Sequence, residues 1–210
     1  MFRFNNVYFK DILKNINLSI ENNEMIGITG ESGSGKSTFL KLFNKFNIPS
    51  KGNIYYDDKN ILNIKSNILR KEVIMMPEAP YIYGKTINDF LYTSLSYNSK
   101  ENVSKDKKYE LLNLTNLNKN LNDSTSTLSS GEAKRLVLAS MMLLKPKFLL
   151  LDEPVNSLDK DLSDKIMKNL YEYFKINDIS IIYISHNRSQ LEKYSTSIIE
   201  VSNKEVKKIE

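Results

Sequence analysis

Apolar and polar residues alternate through the start of the chain, at Phe2-x-Phe4 and again at Ile16-x-Leu18-x-Ile20, which predicts two half-buried antiparallel strands. Beyond them the pattern changes to short continuous apolar runs. Met25–Thr29, Val73–Met76, Phe148–Leu151 and Ser180–Ile184 read as strands covered on both faces. Asn53–Tyr56 reads as a further strand after a turn at residues 48–52, and the stretches 198–201 and 206–209 as two closing strands. Helical spacing lies between the runs, at Phe39, Leu40, Leu42 and Phe43, and at Leu162, Ile166, Leu170 and Phe174. From about 86 to 145 the chain is rich in Leu, Asn and Lys at helical spacing with no strand pattern, so this segment is predicted to form a helical subdomain, with residues 94–106 as its linker. Its last helix carries Ala133, Leu136, Val137, Ser140, Met141 and Leu144 on one face and ends before Pro146. Strands alternating with helices predict an α/β fold.

Composition adds exclusions. A chain of 210 residues can bury roughly 70% of its unfolded surface, enough for one domain with a subdomain. It has no cysteine, which excludes disulfides, zinc–thiolate sites and cysteine nucleophiles. The first residues lack the apolar core of a signal peptide, and no apolar run approaches the ~20 residues that span a bilayer. A soluble, cytosolic chain is the expectation. Net charge is +5, but the lysines are scattered, so a solvated surface is expected in place of a nucleic-acid patch.

The chemistry concentrates where apolar runs end. After Met25–Thr29 comes Gly30-Glu31-Ser32-Gly33-Ser34-Gly35-Lys36-Ser37-Thr38, a G-x-x-x-x-G-K-[ST] loop in a strand–loop–helix context. Its glycines let backbone N–H groups converge on phosphate oxygens, Lys36 adds a full charge, and the Ser37 hydroxyl can ligate Mg2+. Phe148–Leu151 ends at Asp152-Glu153, where Asp152 can hold Mg2+ and Glu153 can orient a water and accept its proton. Ser180–Ile184 ends at Ser185-His186, and His186 is the only histidine. In one parallel sheet the three ends would converge, which points to nucleotide hydrolysis. Tyr8 and Phe9, between the first two strands, are candidates to stack on adenine, Tyr8 preferred.

These residues resemble the ATP-binding cassette (ABC) ATPase domain over nearly the whole chain. Residues 30–37 are similar to Walker A, Phe148–Asp152 to Walker B with Glu153 as the catalytic glutamate, Ser157-Leu158-Asp159 to the D-loop and Ser185-His186 to the H-switch. Leu128-Ser129-Ser130-Gly131-Glu132 resembles the LSGGQ signature that other P-loop proteins lack. It departs at Ser130 and Glu132 and keeps Ser129 and Gly131, the residues that resemble γ-phosphate contacts. Residues 77–87 align with the Q-loop and put Glu78 where a glutamine meets Mg2+ and the attacking water. A carboxylate there can ligate Mg2+ while adding negative charge beside the phosphate.

The resemblance implies a P-loop fold with a mainly parallel core sheet, an N-terminal antiparallel β-subdomain and an inserted helical subdomain. Residues of about 1–85 and 146–210 would form the core with the β-subdomain, and about 86–145 the helical part. It implies ATP with Mg2+ bound in a head-to-tail dimer, with a second copy or a paralogous ATPase as partner. A separate transmembrane permease would be driven from the cytoplasmic face of the membrane. Residues 83–89 look more like the exporter version of their segment. A soluble nucleic-acid or ribosome-associated ABC protein is the rival; the stretch from Lys36 to Leu128 is too short for the coiled coil of repair members, and only one cassette is present. A regulator of a membrane complex is the other alternative.

Overall fold

The computed structural model describes residues 1–76, 81–101, 103–156 and 158–209. The alternating start becomes β1 (Phe2–Phe9) and β2 (Leu13–Ile20), paired antiparallel. Buried positions on β1 are Phe2, Phe4, Val7 and Phe9, a spacing that slips by one residue after Phe4. The register shows why: three residues separate Phe4 from Val7 where two separate Leu18 from Ile16, a bulge at which Asn6 has φ 47°. A second shift between Val7 and Phe9 adds the extra residue on β2, where Asn15 has φ 50°.

β3 (Met25–Thr29) leads into the glycine loop and α1 (Lys36–Leu40), whose apolar face continues through a turn to the buried Leu42 and Phe43. β4 (Lys51–Tyr56), two residues longer at its start than expected, pairs with β1, and β5 (Lys59–Asn60) completes a four-stranded sheet in the order β2-β1-β4-β5. α2 (Ser66–Glu72), which the apolar pattern does not announce because only Leu69 is buried, delivers the chain to β6 (Val73–Met76).

α3 (Ile87–Tyr97), α4 (Lys105–Leu114) and α5 (Ser130–Leu143) follow. The stretch expected to be a linker from Ser94 is therefore helical as far as Tyr97. Ser94 is buried there because its hydroxyl bonds the Phe90 carbonyl at 2.8 Å and the Tyr83 hydroxyl at 2.8 Å. Ser104, accepting from Lys107 N, caps the start of α4.

β7 (Phe148–Asp152), α6 (Lys160–Asn177), β8 (Ser180–Ile184), α7 (Arg188–Tyr194), β9 (Ser197–Ser202) and β10 (Glu205–Lys208) finish the chain. The second sheet has six strands in the order β10-β9-β3-β8-β7-β6, parallel except for β10. Two apolar clusters cover its faces. One joins it to α3–α7; the other joins it, through Phe39 and Phe43 after the glycine loop, to the four-stranded sheet. Phe2 lies 5.0 Å from Phe43 and 4.9 Å from Phe148, ring centre to ring centre, both edge to face. The glycine loop is thus anchored on a helix clamped between two sheets.

Candidate functional site

Strand register brings the three predicted ends together. Ile28 of β3 pairs with Ile184 of β8, and Ile184 pairs with Asp152 of β7. The glycine loop, the Asp152-Glu153 pair and His186 therefore leave the same carboxyl edge, side by side, where open α/β sheets bind ligands. α1 begins directly after the loop, with Lys36 and Ser37 in its first turn, and packs on β7 and β8.

Within the loop, Gly30 has φ 143°, and a Cβ there would lie 2.2 Å from the Val201 carbonyl oxygen of β9. Only glycine fits. Lys36 is 7% exposed, and its Nζ donates to the carbonyls of Gly30 at 2.9 Å and Glu31 at 2.7 Å. Both partners are neutral, so the loop retains a buried positive charge suited to an anion. Ser34 Oγ is buried with no hydrogen-bond partner among the described residues. A phosphate group fits this cradle. Thr38 is shored by Asn47, whose side-chain amide donates to the Thr38 carbonyl at 3.1 Å.

Asp152 is buried at the end of β7. With the Ser37 hydroxyl it offers oxygen donors only, the chemistry of Mg2+, which takes one or two carboxylates and lets phosphates and water complete its shell. Among the described residues no group of three His, Cys, Asp or Glu forms a separate metal cage. Glu153 has φ 50°, which turns its side chain away from the strand direction. Its Oε1 lies 2.9 Å from His186 Nε2, its Oε2 accepts from the Asn156 side-chain amide, and its carbonyl accepts from Asn156 N at 3.2 Å. A cavity of 390 Å3 opens here, lined among others by Glu153, Asn156, Ser185, His186 and Gln190.

At the signature-like segment, Ser129 is the N-cap of α5 and accepts from Glu132 N at 3.3 Å, while Glu132 Oε2 accepts from Ser129 N at 2.9 Å. This is a reciprocal capping box. Lys119 approaches Glu132 at 3.2 Å. The Ser129 backbone bond, with help from Lys119, holds the Glu132 carboxyl below the usual range. The glutamate that replaces glutamine is thus folded inward with its charge partly cancelled, and because Ser129 Oγ serves the cap as acceptor, its own O–H stays able to donate. Ser130 is exposed on the first turn. Gly131 differs from Gly30: a Cβ would meet nothing nearer than Leu158 Cδ2 at 3.4 Å. Asp159 caps α6, its Oδ1 accepting from Leu162 N at 2.9 Å.

Glu78 and Ser157 lie outside the described residues. Tyr8 is half-buried on β1 opposite Lys51 and is not among the residues that line the pocket beside the loop. A pocket of 520 Å3 beside Gly30–Ser34 is lined instead by Asp11, Ile12, Glu200 and the β9–β10 turn. Asp11, bridged to Lys14 at 2.8 Å and Lys204 at 2.7 Å, has its pKa lowered to about 2 by those ammonium groups. Neither Ile12 nor Asn156 is a residue that motif reading singles out. The one available signal was position: Ile12 sits in the turn between β1 and β2, and Asn156 three residues past Glu153.

The sequence profile described as ABC transporter matches residues 13–156. A phosphate import ATP-binding protein PstB of Saccharolobus solfataricus is 35% identical over 94% of this chain and 81% of its own. An energy-coupling factor transporter ATP-binding protein EcfA2 of Caldanaerobacter subterraneus is 32% identical over 89% of this chain and 68% of its own. Among solved structures, a dimeric ATP-binding cassette in a post-hydrolysis state bound to ADP and Pi superposes with a TM-score of 0.86 at 24% identity, covering 100% of this chain and 99% of that one.

Proposed function

The chain belongs to the ABC transporter family of ATPases, and from that premise we propose that it powers a separate transmembrane permease by binding and hydrolysing ATP between two cassettes. The observation that carries the reading is the alignment of Ile28, Ile184 and Asp152, from which the Lys36 loop, Asp152 and the Glu153–His186 pair emerge together.

In this reading the backbone of residues 30–38 and Lys36 bind the phosphates, and Ser37 with Asp152 would hold Mg2+, which would supply positive charge against the phosphates. Glu153 accepts the proton of the attacking water, and His186, bonded to it, keeps the carboxylate facing the γ-phosphate. Glu78, which the sequence aligns with the Q-loop glutamine, is proposed as a further oxygen ligand that would serve Mg2+. The nucleoside end falls to the pocket at Asp11 and Ile12, which Tyr8 does not line. Ser129, Ser130, Gly131 and Glu132 of a second copy, or of a paralogous ATPase, complete the phosphate site from across the interface, with Asp159 ordering the neighbouring α6.

Among the described residues no helix is long and apolar enough to cross a membrane. In the proposed arrangement a separate permease crosses it, with the ATPase at its cytoplasmic face. The contact face proposed for the permease bears Tyr81 and Tyr97, which are 82% and 74% exposed. A groove of mixed polarity, lined by Tyr81, Tyr83, Phe90, Ser94, Asn98 and Val137, lies there, with Tyr97 packed on Tyr83. Residues 83–89 favour export; the relative named for phosphate import carries the same kind of cassette, so direction is read from the permease that co-purifies. Glu153→Gln tests the mechanism: ATP binding is expected to persist, turnover to fall by at least about 100-fold, and an ATP-bound dimer to accumulate on size exclusion. Turnover at the wild-type rate would remove Glu153 as the base.

A further inference from the structure

We infer that Asn156 is a positioning residue for hydrolysis, holding the Glu153 carboxylate in the orientation from which it takes a proton from water. The inference rests on Glu153 acting as the base. Residues 153–156 form a tight turn, Glu-Pro-Val-Asn, closed by the bond from Asn156 N to the Glu153 carbonyl at 3.2 Å. Pro154 occupies the second position, where its ring fixes φ and stiffens the turn. Glu153 itself has φ 50°, a conformation in which a non-glycine residue persists only when its surroundings hold it. Asn156 holds it twice, through the backbone amide and through the side-chain amide that donates to Oε2.

His186 takes the other oxygen, with Nε2 2.9 Å from Oε1. The two contacts differ in kind. His186 is 54% exposed and stands on a different segment, after β8, so its grip depends on how that segment sits. Asn156 belongs to the same stiff turn as Glu153, so its grip moves with the base. Each carboxylate oxygen carries a second lone pair that these contacts leave open, and Glu153 lines a cavity together with Asn156, Ser185 and His186. Without Asn156 the carboxylate rotates about its own side-chain bonds and presents those lone pairs in the water's direction only part of the time. The contact also requires a donor: aspartate, of the same shape, would set two carboxylates against each other.

Four proteins decide the matter: wild type, Asn156→Ala, Asn156→Asp and Glu153→Gln, each assayed for single-turnover hydrolysis at saturating MgATP and for the Kd of a fluorescent ATP analogue. Asn156→Ala is expected to lower the hydrolysis rate about 10-fold, and Asn156→Asp about 100-fold, with nucleotide affinity within about twofold of wild type in both. Asn156 is exposed, so the thermal midpoint serves as the folding control. Three results would overturn the inference alone: Asn156→Ala hydrolysing at the wild-type rate while Glu153→Gln is silent, a loss of affinity matching the loss of rate, or an aspartate variant no slower than the alanine one. If Glu153→Gln itself turns over normally, the base assignment fails first.

Discussion

Gly30 and Gly131 are chemically identical and are kept for different reasons. At Gly30 an added methyl would strike the Val201 carbonyl, so the residue is required by the chain's own fold. At Gly131 the backbone is helical and the nearest atom is an ordinary contact away, so alanine fits a single copy and favours the helix by up to about 1 kcal/mol. A need for glycine at 131 can then come only from something outside one copy. Gly131→Ala is therefore expected to keep or raise the thermal midpoint and keep ATP binding, while ATP-dependent dimerisation and hydrolysis fall by on the order of tenfold or more. Phosphate release combined with light scattering measures both. Hydrolysis at the wild-type rate would take Gly131 out of the composite site. Asp152, Glu153 and His186 were legible as candidates because each stands at the end of an apolar strand, and Lys36 because it closes a glycine loop that follows one. Ile12, Lys204 and Asn156 were not, because a turn, a hairpin contact and a side-chain bond bring them to the site, and none of these leaves a periodic trace.

At the scale of elements, α5 shows a local motif with two duties. Ser129 and Glu132 cap each other, and the Glu132 carboxyl lies below its ordinary pKa because the Ser129 amide bonds the charged form. A carboxyl whose folded pKa is lowered contributes stability that is present above its unfolded value and is lost as pH falls through the folded one. Glu132→Ala is expected to cost about 1 kcal/mol at neutral pH, the scale of a lost cap, with the difference from wild type shrinking below about pH 4. Glu132→Gln, which can still complete a capping box, is expected to retain most of the stability and lose its acid dependence. Urea midpoints at two pH values test this; a gap between wild type and alanine that persists in acid would contradict it. The elements that the apolar pattern predicted well were the buried strands, whose side chains are covered on both faces. α2 escaped because it buries only Leu69, and the end of α3 escaped because Ser94 hides its polarity in bonds to Phe90 and Tyr83.

At the scale of the molecule, the glycine loop joins segments remote in sequence. α1 is held between the two sheets by Phe39, which packs on Phe4 and Phe43, and Asp11 ties the β1–β2 turn to Lys204 in the β9–β10 turn. The whole cassette was legible as an α/β chain with a phosphate loop; that its last hairpin walls that loop was not, since nothing local in residues 197–208 speaks of nucleotide. Gly30 rests against the Val201 carbonyl with no room for a methyl group between them. That abutment has a kinetic consequence. A loop packed backbone to backbone on β9 cannot open freely unless the strand yields, so a ligand that quiets one quiets the other. In hydrogen–deuterium exchange, MgATP is expected to slow the amides of β9 and β10 together with those of residues 30–38, although the hairpin itself carries no phosphate-binding motif. Exchange that slows in the loop while the hairpin keeps its unliganded rate would show the two to be dynamically separate.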